Sequence, residues 1–289
     1  MQQGSVQVFL PHGYEGALYR QPYGREQPGL IQQVFGLPIN IAIGESNQSL
    51  FEFSLAYAFL ELAKKAIDLA GIPRTPKLGI VRKEGGDHEK LQLEEGVWSF
   101  GSPYRNPLTR LLASDQREGT ISGLEANLKP ELPFYFDIQD DKTVTNTGYY
   151  TKDQNLLIAW GTLEALLEKN PEIGKYLSLE TALTKEPIVH IKGSNRTFIP
   201  EYNEQLQRFE RDYWMMTQMY SLNPETQNLG HKDVVVAGCH DLGTRNAILA
   251  LFSKGLMEEI SKQVGGHPTF QVIGYTTPNE FELLEVIKF

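Results

Sequence analysis

Three stretches place polar side chains directly after a glycine that follows an apolar run: GESNQS from residue 44, GSPYRN from 101 and GCHDLGTRN from 238. Each reads as a strand turning into a helix. A helix start leaves backbone amides without intrahelical partners and carries partial positive charge, so such a turn can hold a phosphate or carboxylate. Glycine lets the backbone approach a ligand closely. The groups that would meet an anion are Ser102, Arg105, Thr244 and Arg245, with the backbone at Gly101, Gly238 and Gly243. Asn47 and Asn106 could orient the ligand, His240 lines the third turn, and the ring of Tyr104 could stack on a base. If the turns stand on neighbouring strands, all of these converge on one crevice at the carboxyl ends of the strands. The competing reading is that Ser, Asn, Asp and Thr at such turns cap their own helices.

The turn at 238 can be set beside the phosphate-cradling pattern G-x-x-x-x-G-K-[ST]. Gly238 and Gly243 have its spacing, with a strand before and a helix after, but the lysine is absent and Arg245 stands one position late. That argues against a motor-type NTPase and leaves a turn that cradles an anion without hydrolysing it. The dinucleotide pattern G-x-G-x-x-G is absent from all three turns.

Catalytic constellations are sparse. Cys239, His240 and Asp241 are adjacent in one turn and point different ways, so they cannot form a triad among themselves. A Cys239 nucleophile would need a base from elsewhere, such as His190 or His12. Glu45, beside Ser46 and Asn47, is the best acid/base candidate, with Asp241 second; either would suit a hydrolase or glycosidase acting on a nucleotide-like substrate. No HxH, HExxH or CxxC spacing occurs, so no metal and no cofactor is expected. GSNRTF at 193–198 is a further turn in which Arg196 could reach an anion.

A net charge of −9 argues against coating nucleic acid or an anionic membrane, which calls for clustered Lys and Arg. Cys239 is the only cysteine, which fits a reducing compartment, and the opening residues carry no secretory pattern. The apolar segment 50–70 is interrupted by Glu52, Glu61, Lys64, Lys65 and Asp68, so it reads as a packed helix and not a membrane span. A cytoplasmic protein is expected.

The elements that must position the three turns follow from pattern. Strands are expected at 5–10, 37–43, 77–81, 96–100, 132–138, 187–193, 234–238 and over TFQVIGY, with a further strand in the final EFELLEVIKF. Helices are expected at 49–70, with Tyr57 on its inward face, at 107–113 behind Asn106 as cap, and at 245–264 up to Gly265-Gly266. Residues 143–160 suggest a hairpin or loop pair. In 201–222, Leu206, Phe209, Tyr213, Met216 and Tyr220 recur at heptad spacing, which predicts a helix that is either core or a surface for a partner or a second copy. The tyrosine-bearing segment 11–36 reads as irregular.

The combination of G-S-P-x-x-N-P-L-T near 101, L-P-F-Y-F near 132, D-Y at 212, N-P at 223 and A-G-C-H-x-x-G-T near 237 resembles a group of prokaryotic α/β proteins without an established activity. The resemblance implies a multi-strand fold with both turns in one unit. LPHGYEG at 10–16 resembles a short stretch of thiamin-diphosphate-dependent 2-oxoglutarate dehydrogenases; none of the cofactor-binding context accompanies it, and nothing is carried over.

Together these readings predict an α/β fold: a mostly parallel sheet in a three-layer α/β sandwich, Rossmann-like, in one domain over 1–289 with an embedded mixed subregion at 140–231. The expected function is binding or sensing of a small anionic ligand, nucleotide-like, at the strand-to-helix turns.

Overall fold

The computed structural model describes residues 30–44, 50–82, 85–86, 96–115, 131–151, 157–160, 177–203, 206, 208–222, 229–278 and 280–289. In chain order the elements are α1 (Leu30–Val34), β1 (Asn40–Gly44), α2 (Leu50–Leu69), β2 (Lys77–Arg82), β3 (Gly85–Gly86), β4 (Trp98–Phe100) and α3 (Pro107–Ala113). Then come β5 (Phe134–Thr151), β6 (Leu157–Trp160), β7 (Leu177–Gly193), β8 (Thr197–Phe198), β9 (Glu201–Asn203), β10 (Arg208–Leu222) and β11 (Leu229–Gly238). The chain closes with α4 (Asp241–Phe252), α5 (Lys254–Val264), β12 (Phe270–Thr276) and β13 (Phe281–Lys288).

Among the described residues, nine strands form one sheet in the order β13-β12-β10-β11-β4-β1-β2-β3, with β9 paired to β10. Only β11–β4, β4–β1 and β1–β2 run parallel. The pairs β10–β11, β10–β12, β12–β13, β9–β10 and β2–β3 are antiparallel. A second sheet, β6-β5-β7-β8, is antiparallel throughout.

This corrects the expected fold class. Strand outweighs helix among the described residues, the sheet is mixed and largely antiparallel, and the Rossmann-like α/β sandwich is not what forms. One face of the large sheet carries helices: Ile31, Phe59, Leu251 and Ile260 pack there on Trp98, Trp214, Val234, Val236 and Val272. The other face carries α3 and the second sheet, whose Phe134, Phe136, Ile138, Val189 and Ile191 meet Met215, Val235, Ala237 and Ile273. The layers are helix, sheet, sheet.

The largest difference lies in 201–222, where Phe209, Tyr213, Met216 and Tyr220 of the heptad stripe belong to the strand β10 and Leu206 to the turn before it. In β10, Trp214, Met215, Met216 and Met219 are all buried, on alternating faces of the large sheet. A strand covered on both faces reads as a continuous apolar run, and a long run also fits helical spacing by chance. Its Phe, Tyr, Trp and Thr content is that of a strand. Of the stripe, Phe209 and Met216 are buried, Tyr213 and Tyr220 are half-buried, and Leu206, outside the strand, is exposed.

Smaller differences have local causes. Tyr57 is exposed on α2, and the inward face is Leu55, Ala56, Phe59, Leu60, Leu62, Ala63, Ala66 and Ile67. The helix expected over 245–264 starts at Asp241 and divides at Ser253 into α4 and α5, with Gly265 closing α5 in the left-handed conformation. Residues 30–34 are helical inside a segment read as irregular, while the expected strand at 5–10 lies outside the described residues. Near 143–160 the strands β5 and β6 pair antiparallel, as a hairpin would require, and the C-terminal strand forms as β13. No helix among the described residues is long and apolar enough to cross a membrane.

Candidate functional site

The strands that lead into the three glycine turns are neighbours: β1, β4 and β11 lie side by side and parallel, so Gly44, Gly101 and Gly238 stand at the same edge of the sheet. The contact is close. A methyl group on Gly44 would run into the backbone of Arg105 and Asn106. Glu45, Ser46 and Asn47 follow Gly44 but lie outside the described residues.

The turn at 101 is built around Asn106. Its Oδ1 accepts from Leu108 N at 2.9 Å and Thr109 N at 3.3 Å, which caps α3. Its Nδ2 donates to Phe100 O at 2.7 Å, Ser99 Oγ at 3.1 Å and Ala42 O at 3.4 Å, so one side chain also pins the ends of β1 and β4. Gly101, at φ 120, takes a backbone conformation that a side chain would strain, and its amide donates to Val236 O. Ser102 Oγ donates to Cys239 O at 2.9 Å, which holds this turn against the one at 238. The polar atoms of Asn106 and Ser102 are thus engaged within the fold.

At the turn after Gly238, the anion seat of α4 is filled from within. Asp212 of β10, fully buried, accepts from His240 N at 3.1 Å and Gly243 N at 2.6 Å through Oδ2, and from Tyr213 N at 2.8 Å through Oδ1. A methyl on Gly243 would meet Asp212 Oδ2 at 2.8 Å and the carbonyl of Tyr213, so only glycine admits the carboxylate this close. Burial pushes the Asp212 carboxyl up to about 7, against the pull of the amides of Gly243, Tyr213 and His240. Sequence reading missed Asp212. Its one signal was a lone carboxylate in the apolar run RDYWMM, since a buried charge must find donors. Thr244 Oγ1 accepts from Gly238 N at 3.1 Å and is buried, so it too serves the turn.

His240 joins the two sheets. Its ring stacks on Phe209 at 4.2 Å, and its Nε2 accepts from Val189 N of β7 at 3.2 Å. Burial, and then the neighbouring His190, lower its pKa to about 3, so it is a neutral acceptor. Cys239 is fully buried beside Asp212, and burial raises its thiol well above the usual range. A thiol so protected is no nucleophile. Arg196 ion-pairs with Glu285 and lies over the rings of Phe134 and Phe198. Among the described residues no group of His, Cys, Asp and Glu is arranged to hold a metal.

Four of the expected site residues remain at the accessible rim: Tyr104, Arg105, Asp241 and Arg245. Tyr104 is 36% exposed, Arg105 and Arg245 are half-buried, and Asp241 is exposed. The Arg105 guanidinium lies 5.1 Å from the Tyr104 ring centre. Asp241 opens α4 and Arg245 follows one turn later, the spacing at which helix side chains meet. The Asp241 carboxyl is pushed up by the density of its surroundings and pulled back down by Arg245 and then Arg105. No protein-family model matches this chain, and neither a curated protein nor a solved structure matches it.

Proposed function

We propose that the protein binds a small anionic ligand at the shared edge of β1, β4 and β11, clamped by the side chains of Arg105 and Arg245. The observation that carries this reading is that Arg105 and Arg245 stand half-buried on two turns that the hydrogen bond from Ser102 Oγ to Cys239 O holds together. Guanidinium forks grip carboxylate and phosphate through paired, charge-assisted hydrogen bonds. The amides of His240 and Gly243 are taken by Asp212, so recognition falls to side chains. A nucleotide is one class that suits the reading, with Tyr104 beside Arg105 as a flat face for a base. Binding, not turnover, is favoured because Cys239 is fully buried and burial raises its thiol well above the usual range. The role is assigned to the cytoplasm, which a single buried free cysteine fits.

The test is a thermal-shift and calorimetric comparison of wild type, Arg105→Ala and Arg245→Ala with inorganic phosphate, AMP, cyclic AMP and dicarboxylates. Each substitution should weaken binding by about tenfold or more, as loss of a charge-assisted hydrogen bond implies. Full affinity in both variants would sink the proposal.

A further inference from the structure

We infer that the edge of the sheet opposite the glycine turns is fastened by a proton-dependent clasp, in which charged His231 holds the buried carboxylate of Asp233 against the backbone leading into β4. The clasp stands apart from the anion-binding turns.

Gly44, Gly101 and Gly238 lie where β1, β4 and β11 end, so the beginnings of the same parallel strands form the other edge. There, side chains cross from one segment to the backbone of another. Asn40 Nδ2 donates to Gly96 O at 2.9 Å, and Lys232 Nζ donates to Phe35 O at 3.1 Å. Asp233, 1% exposed, accepts from Val97 N at 3.0 Å through Oδ1. Its Oδ2 lies 3.2 Å from His231 Nε2.

An ionised carboxylate at that depth calls for opposite charge as well as hydrogen-bond donors. The Val97 amide supplies a donor, and imidazolium supplies both. A neutral imidazole still has one N–H to give, without the charge that makes the contact strong. His231 and Asp233 are two places apart on β11 and therefore share a face, the one that Val235 and Ala237 turn to the second sheet. That sheet answers with Phe136, Ile138, Val189 and Ile191, all apolar. β10 sets Met219 opposite Asp233, and α3 brings Arg110 as its charged residue. Lys232 takes the other face, opposite Tyr220, and burial lowers its pKa. Of these ionisable groups, His231 is the one whose ordinary value, about 6.5, lies near neutrality. A histidine that gains a carboxylate partner on folding adds stability that is complete below its unfolded value and is lost as pH rises through its folded value. The clasp is therefore tight in mild acid and slack on the alkaline side of neutrality.

The experiment is amide hydrogen exchange on the full chain in steps from pH 6 to pH 8.5, for wild type and His231→Gln. Protection of the Val97 amide is expressed relative to that of Val235 within β11. In wild type this ratio should fall by about fivefold or more across the range, the loss of the charge assistance. In His231→Gln, whose side chain keeps an N–H and does not titrate, it should stay within about twofold. An equal fall in both proteins, or no fall in wild type, would overturn the inference. Should His231→Gln fail to fold, the wild-type ring decides: followed by NMR, His231 should titrate over the pH range in which Val97 loses protection. A loss of protection with a different midpoint would overturn the clasp as well.

Discussion

Asp212 and His240 are fully buried ionisable groups that touch through one backbone amide, yet they make opposite demands on pH. The Asp212 carboxyl titrates near 7 in the fold against 3.8 for an ordinary aspartate. Below 7 the folded protein therefore holds a proton that the unfolded chain lacks until about 4. Its contribution to stability is present at low pH and is lost as pH rises through 7, by about 4 kcal/mol for a shift of this size. His240 titrates near 3 against 6.5, so its contribution is present at neutral pH and is lost as pH falls from 6.5 towards 3. Between about 4 and 6.5 the two slopes largely cancel. Asp212→Asn keeps an oxygen for the amides of His240 and Gly243, removes the titration, and gives up the acceptor of the Tyr213 amide, a loss that is the same at every pH. Urea unfolding of both proteins at pH 5 and pH 8 should show the variant gaining on wild type at pH 8 by about 2–3 kcal/mol relative to their difference at pH 5. A difference that does not change with pH would refute the buried-proton account.

At the scale of elements, the three strand-to-helix turns were legible because glycine, capping residues and apolar runs act locally. Asn106 and Pro107 announced α3, and the structure finds the cap where the pattern put it. β10 was not legible, because what makes it a strand is burial on both faces, a tertiary fact that a stripe of Tyr and Met does not carry. Asp212 was invisible for the same reason: its partners His240 and Gly243 are some thirty places along the chain. The site expectation was shifted by this, since Ser102, Asn106 and Thr244 serve the turns while Arg105, Asp241 and Arg245 face the rim. Asn106 also shows how far a capping argument reaches. At a plain helix cap, Asn and Asp are nearly interchangeable. Here Nδ2 donates to Phe100 O, Ser99 Oγ and Ala42 O, and an aspartate would turn an acceptor towards two carbonyls. Asn106→Asp should thus destabilise the protein at least as much as Asn106→Ala, which should cost about 2–4 kcal/mol for the cap and the orphaned carbonyls together. Equilibrium unfolding of the pair decides it: a tolerated aspartate would reduce Asn106 to a cap.

Over the whole molecule the question is what fixes the second sheet to the first. Apolar packing between Phe134, Phe136, Ile138, Val189 and Ile191 and the large sheet supplies contact but little direction. Direction comes from polar links buried in that layer. Gln271 of β12, fully buried, accepts from Phe134 N at 2.8 Å and donates to Phe134 O at 2.7 Å. One side-chain amide thereby satisfies both backbone groups at the start of β5, as a neighbouring strand would. Its Nε2 also lies 3.1 Å from Thr217 Oγ1 of β10, which ties the pair to the centre of the large sheet. His240 does the same for β7 through Val189 N, so each long strand of the second sheet is registered by one buried side chain. Gln271→Leu keeps the volume and removes the link, leaving the N–H and C=O of Phe134 buried without it. A cost of about 2–5 kcal/mol follows from two such unsatisfied groups. Thr217→Val removes only the outer contact and should cost less. Hydrogen exchange separates a local from a global role: in Gln271→Leu the Phe134 amide should lose protection well before the amides of β10 and β11. Stability within about 0.5 kcal/mol of wild type, with Phe134 still protected, would mean that apolar packing alone sets the register of the two sheets.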